Sequence, residues 1–298
     1  RRRGSHGLEM LAGRSAIVTG AGRGIGQAVS RLLGQHGASV LVNDLDEAAA
    51  HASAAAVTAA GGRAFALPGS VMDDGVPEAM VAAAIARHGA LDIVVNNAGF
   101  LWDGVAHKMA DAQFAAVLEC HLTAPFRLAR TAAAHMRGAA RAELEAGGAP
   151  RDRCFVNVSS TSGLHGNVSS TSGLHGNVGQ ANYAAAKAGV VGLTKTLAKE
   201  WGPLGIRANT VAFGMIDTRM TSAFAEGATV AVGGLEVPQG LPDRVAAAWQ
   251  GGDQLRALVP LGRKGTVDEA AGGVLFLASP LASYVTGHTL EVTGGMGI

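Results

Sequence analysis

The sequence predicts an α/β protein: one doubly wound domain whose mostly parallel, seven-stranded sheet is flanked by helices. Three observations predict it. From Ser15 onward short apolar runs alternate with longer helical patterns, the rhythm of successive β-α-β units. A glycine-rich turn follows the first apolar run and opens a helix, as at the ligand-binding edge of open parallel sheets. The 298 residues are 48% hydrophobic, enough to fill one large core.

The elements follow in order. The run AIVT at 16–19 reads as the first strand, and the glycine-rich turn leads into a helix ending near His36. SVLVN at 39–43, RAFAL at 63–67 and LDIVVN at 91–96 read as the next three strands, each β-branched or aromatic enough to pack on a pleated surface. Alanine-rich segments between them read as crossover helices. A helix near 111–137, a strand near 154–158, the helix carrying Tyr183, a strand near 206–212, a helix near 267–278 and a strand near 288–292 complete the plan.

Residues 10–298 read as one domain, and 1–9, with Gly4-Ser5-His6, as a cloning scar before a native start at Met10. Two stretches look added to the plan. Residues 137–153 read as an exposed helix extension and loop, and residues near 218–260, rich in glycine and alanine, as a lid over the crevice. A perfect tandem repeat, NVSSTSGLHG, occupies 157–166 and 167–176. It is too short, and occurs too few times, to be an architecture of its own.

Charge and composition narrow the function. With 24 basic against 23 acidic residues and a formal net charge of +1, no nucleic-acid surface is expected. Cys120 and Cys154 lie in no metal-ligand or paired spacing, so no metal is expected and a cytoplasmic setting is. No apolar run reaches the length of a membrane span.

Tyr183 and Lys187 are spaced to share one helix face, with alanines between and beside them. A free tyrosine, with a pKa of about 10, is a poor base. A lysine cation beside it, joined by the positive charge of an oxidised nicotinamide, is expected to lower that value by roughly 1–3 units for one close opposite charge and let it move protons near neutrality. Glycines 20, 24 and 26 permit a tight turn that brings a pyrophosphate to backbone N–H groups and the positive end of a helix. Asp44, ending the second strand, can accept from ribose hydroxyls and repel a 2′-phosphate, which argues for NAD; Arg23 in the turn argues for NADP. NAD is preferred.

With TGAGRGIG at 19–26, Asn96-Asn97-Ala98-Gly99, the serine-rich segment before Tyr183-xxx-Lys187, and the closing VTGHTLEVTGG in place, the chain resembles a short-chain dehydrogenase/reductase from about Leu11 onward. The resemblance implies a Rossmann fold, a homotetramer, and hydride transfer between a nicotinamide and a carbonyl or alcohol carbon of a small ketone or alcohol. It makes Tyr183 the general acid/base and Lys187 both its partner cation and a ligand of the nicotinamide ribose. The turn residues Gly20, Arg23, Gly24, Ile25 and Gly26, with Asn97, Ala98 and Gly99, would line the cofactor cleft, as would Gly214, Ile216 and Thr218.

There are departures. Where the family usually has an acidic residue for the adenine, this chain has Gly69-Ser70-Val71, so Ser70 and the backbone of Val71 are expected there instead. Phe213 replaces a proline before Gly214. His121 stands where most members place a relay asparagine, similar to (3R)-hydroxyacyl-CoA dehydrogenase units; an imidazole also relays protons. The alternative is a buried histidine satisfied by backbone. For the catalytic serine, the family spacing of thirteen residues before Tyr183 selects Ser170, whereas the apolar run of Cys154, Phe155, Val156 and Val158 selects Ser160. Shifting the strand would forfeit burial of Phe155 and a valine, roughly 1.5–3 kcal/mol each. Looping out the second copy costs less than about 1 kcal/mol in closure entropy.

The expected activity is therefore NAD-dependent interconversion of a secondary alcohol and a ketone, with 3-hydroxyacyl or 3-oxoacyl thioesters leading as substrates. A steroid or alicyclic alcohol is the rival substrate, and a non-catalytic NAD(H)-binding regulator the rival class.

Overall fold

The computed structural model describes residues 9–161, 178–223, 229–232, 234–240 and 253–297. Its seven parallel strands follow the order β3-β2-β1-β4-β5-β6-β9. They are β1 (Ser15–Val18), β2 (Ser39–Asp44), β3 (Arg63–Pro68), β4 (Ile93–Asn96), β5 (Arg153–Ser160), β6 (Ile206–Phe213) and β9 (Thr289–Val292). The order reverses between β1 and β4, opening a crevice at their carboxyl ends. Parallel strands covered on both faces read as unbroken apolar runs, which is why β1, β4 and most of β5 are buried at every position.

Two apolar layers enclose the sheet. On one face, helices α1 (Gly24–Gln35) and α8 (Val267–Ala278) place Leu33, Ala271 and Val274 against Val18, Val156 and Val211. On the other, α3 (Val76–His88), α5 (Ala124–Glu145) and α6 (Ala181–Trp201) place Met80, Met136 and Trp201 against Ile17, Val94 and Phe155. Phe155 is fully buried, so the strand register that chooses Ser160 as its last residue is the one that keeps this ring in the core. The remaining helices are α2 (Glu47–Ala59), α4 (Asp111–Leu118) and α7 (Asp253–Leu258).

The expected helix at 111–137 is two helices. A π-helical turn, Glu119–Thr123, joins α4 to α5. Pro125 has no N–H to give to the carbonyl of His121, and Ala124 N–H instead donates to the carbonyl of Glu119, five residues back. The widened turn rotates His121 into the molecule, where it is 3% exposed. Beyond it, α5 runs to Glu145, because the segment after Gly138 is made of good helix formers. Glu143 there meets Arg153 at 2.6 Å and ties the extension to the start of β5.

Among the described residues of the 218–260 stretch, β7 (Thr229–Val232) and β8 (Leu235–Pro238) form an antiparallel hairpin that the sequence reading did not anticipate. Val232 and Val237 pack on Phe100, Leu101, Val117 and Tyr183. Residues 1–8, which include most of the expected cloning scar, and 162–177, which include Ser170, His165 and His175, lie outside the described residues. No described helix is long and apolar enough to cross a membrane, and no described group of three or more His, Cys, Asp or Glu side chains is arranged to hold a metal ion.

Candidate active site

One cavity of about 390 Å³ runs along the carboxyl edge of the sheet, from Asp44 past the glycine turn to Tyr183. Every described residue singled out in the sequence as catalytic or cofactor-binding lines it, including Ile25, Ser70, Val71, Ala98, Gly214, Ile216 and Thr218.

At the β1 end the strand-to-helix turn and the β4 loop are fastened together. Asn97 Nδ2 donates to the carbonyls of Thr19 and Gly20 at 3.0 Å each, while the N–H groups of Asn97 and Ala98 donate to Thr19 Oγ1. A Cβ at Gly26 would lie 2.2 Å from the Gly20 carbonyl oxygen and 2.6 Å from Asn97 Nδ2, so no other residue fits there. Gly26 lies in the first turn of helix α1, which begins at Gly24 with no side-chain cap and no acidic residue in that turn. The first N–H groups and positive end of the helix are therefore left for an anion. Asp44 is oriented by Gly22 N–H at 2.8 Å and Asp46 N–H at 3.0 Å. Arg23 is turned onto Asp46 at 2.6 Å. A narrow glycine cradle, an uncapped helix start and an oriented carboxylate fit a dinucleotide.

At the other end, Tyr183 and Lys187 project from α6 toward the end of β5. Lys187 Nζ donates to the carbonyl of Val158 at 2.7 Å, and Ser159 Oγ donates back to the carbonyl of Lys187 at 2.9 Å. These reciprocal bonds lock helix to strand. Ser159 is thus spent on the backbone, and Ser160, one residue on, shares a hydrogen bond with the Tyr183 side chain.

Burial dominates the electrostatics of the pair. Burial pushes the Tyr183 phenol up to about 12; the bond from Ser160 opposes the shift and the Asp103 carboxylate adds to it. The Lys187 ammonium lies 5.5 Å from the tyrosine ring centre and donates to Val158. Lys187 is itself depressed from 10.5 to about 8, again by burial.

His121 stands edge-on to Tyr183, ring centres 5.1 Å apart. Its Nε2 lies 2.8 Å from the carbonyl oxygen of Phe100 and 3.2 Å from the Phe100 backbone nitrogen; protonated it donates to the carbonyl, unprotonated it accepts from the N–H. Nδ1 is buried with no hydrogen-bond partner among the described residues. Burial, reinforced by the Lys187 cation, drives the imidazole well below 6.5, so the ring is neutral at physiological pH. Half of the backbone-satisfied reading therefore holds, for Nε2 alone. A Cβ at Gly99 would lie 2.2 Å from His121 Cε1; the imidazole occupies the space that this glycine leaves.

Sequence reasoning missed Cys120, Gln180 and Gln239, which also line the cavity. Cys120 and Gln180 adjoin residues that were singled out. Gln239 follows the unforeseen hairpin and carried no signal.

Comparison with known proteins places these features in a class. The short chain dehydrogenase family model matches residues 14–229, and an enoyl-(acyl carrier protein) reductase model matches residues 240–297. The chain belongs to the short-chain dehydrogenase/reductase family, oxidoreductases that work with a nicotinamide cofactor. It is 36% identical over 289 residues to a 3-oxoacyl-(acyl-carrier-protein) reductase of Chlamydia muridarum, spanning 96% of this chain and 98% of that one. Relatives of the same name from Vibrio cholerae and Escherichia coli are 37% and 35% identical, over 96% and 95% of this chain and 98% and 97% of theirs. Among solved structures, a doubly substituted short-chain dehydrogenase/reductase from Serratia marcescens superposes with a TM-score of 0.76 at 30% identity, covering 97% of this chain and 99% of that one. One from Mycobacterium marinum gives 0.76 at 27% identity, covering 97% of each.

Proposed function

We propose that this protein is an NAD(H)-dependent oxidoreductase that interconverts a secondary alcohol and a ketone, with 3-hydroxyacyl and 3-oxoacyl thioesters as its substrates. The single observation that carries the reading is Tyr183, hydrogen-bonded to Ser160 and one helical turn from Lys187, at the end of a cavity that continues to an uncapped helix and a glycine cradle. The names of the curated relatives support the substrate class.

In this reading the nicotinamide, when bound, supplies or accepts the hydride. Gly20 to Gly26 and the start of α1 hold the pyrophosphate, and Asp44 the adenosine ribose. The Asp44 carboxylate, with Asp46 beside it neutralising Arg23, favours an unphosphorylated ribose. Asn97 to Gly99, Gly214, Ile216 and Thr218 line the nicotinamide end, and Lys187 binds its ribose. Ser160 holds the substrate oxygen, and Tyr183 Oη gives that oxygen its proton. A phenol at about 12 is fully protonated at neutral pH, which suits the reducing direction. With Nε2 protonated, Nδ1 of His121 is the open acceptor through which a proton lost from this group of side chains is exchanged. The hairpin and its flanks act as the lid, and the working form is a cytoplasmic homotetramer.

The test follows NADH and NADPH absorbance with 3-oxoacyl thioesters and with steroid and alicyclic ketones. Tyr183→Phe is expected to lower turnover by about 10² to 10⁴ while NADH binding, read by fluorescence, survives. Turnover retained in that variant, or none in the parent with any substrate, overturns the reading.

A further inference from the structure

We infer that Gln239 selects substrates that carry a hydrogen-bond donor away from the reacting carbon. The inference rests on the oxidoreductase reading above. Beside Tyr183, Phe100, Leu101 and Val232 give the cavity an apolar stretch of wall. Gln239 directly follows the hairpin and is 5% exposed, yet it lines the cavity.

Its amide orientation follows from its neighbours. Nε2 faces three backbone carbonyls, of Leu101 at 3.2 Å, Val237 at 3.3 Å and Pro238 at 3.1 Å. Only an NH₂ group is attractive toward three carbonyl oxygens, so the side-chain oxygen points the other way. Among the described residues, nothing donates to that oxygen. The side chain is thus braced at one end, with an acceptor at the other that has no partner among the described residues. An acceptor held beside apolar side chains discriminates between substrates, because one without a matching donor leaves it unpaired. An N–H or O–H on the substrate satisfies it, whereas an ester oxygen or a carboxylate at the same place is repelled.

The experiment compares two 3-oxoacyl thioesters that differ in one group: the N-acetylcysteamine thioester, with an amide N–H, and its counterpart in which oxygen replaces that N–H. The parent enzyme is expected to favour the amide by about tenfold or more in kcat/KM. Gln239→Met is expected to lower kcat/KM for the amide at least about tenfold more than for the ester, an effect on selectivity that loss of packing alone does not produce. Turnover of both substrates by the parent at equal efficiency overturns the inference whatever the variant does. An equal loss for both substrates in Gln239→Met overturns it as well. No turnover of either by the parent, with NADH or NADPH, overturns the oxidoreductase reading and the inference with it.

Discussion

Replacing Lys187 by methionine is expected to stabilise the protein at neutral pH, and the reason lies in its burial. The side chain is 3% exposed, and among the described residues its charged end has one hydrogen-bond partner, the Val158 carbonyl. Its pKa falls from 10.5 to about 8, and at 1.36 kcal/mol per unit the folded protein bears a penalty of about 3 kcal/mol for holding the ammonium charged at pH 7. Methionine removes the charge and nearly conserves the stem. It also leaves the Val158 carbonyl without its donor, a loss of about 1–2 kcal/mol, so the net gain is about 1–2 kcal/mol. Linkage fixes the sign of the pH dependence: between 8 and 10.5 the unfolded chain binds the proton that the folded chain has released. Stability contributed by this site therefore rises across that window in the parent, and the advantage of Lys187→Met disappears. Urea midpoints for both proteins, taken from pH 7 to 10.5 at one protein concentration, measure the difference directly. A variant that is less stable than the parent at pH 7, or a difference that does not change with pH, refutes the reasoning.

Gly99→Ala places a Cβ 2.2 Å from an imidazole that is tethered at Phe100 and stacked edge-on against Tyr183; a loss of about 1–3 kcal/mol in urea unfolding is expected, and adding His121→Ala should recover part of it. Additivity of the two substitutions would count against the contact. At the far end of the molecule, the bond from Arg153 holds Glu143 down at about 2 against an ordinary 4.5. The Glu143 contribution is fully present above pH 4.5 and is lost as the pH falls toward 2. Because the carboxylate is partly exposed, Glu143→Gln should cost only about 1 kcal/mol at pH 7, and nothing at the acid end of a stability titration.

The sheet was legible because its strands are buried on both faces and therefore announce themselves as apolar runs. Ser160 was legible for the same reason: the core needs Phe155, and that requirement sets where β5 ends. The π turn before α5 was not read, although Pro125 is visible in the sequence, because a proline near a helix start is ordinarily harmless; only the unbroken continuation from α4 makes its missing N–H matter. The hairpin was missed because its apolar positions, Val232 and Val237, pack on residues from three distant parts of the chain, and no local pattern records that. The glycine-rich turn between β1 and α1 depends on local backbone and was legible in TGAGRGIG. The acceptor at Gln239 depends on carbonyls that only the folded chain brings together.

The same separation between local pattern and assembled environment explains the proton chemistry. In water a tyrosine and a lysine differ by only about half a unit, near 10 and 10.5, and spacing on a helix suggests that the cation should acidify the phenol. Burial acts on the two groups in opposite directions, since it penalises a phenolate and an ammonium alike. The phenol moves up to about 12 and the ammonium down to about 8. Two groups that would compete for one proton in water are ordered by four units of pKa in the fold, with the phenol as the proton's resting place. A pair driven apart in this way has its acid assigned by its surroundings. With a neutral imidazole at His121 beside the phenol, this ordering supports the proposal that Tyr183 is the proton donor and that Lys187 acts through its charge and its grip on Val158.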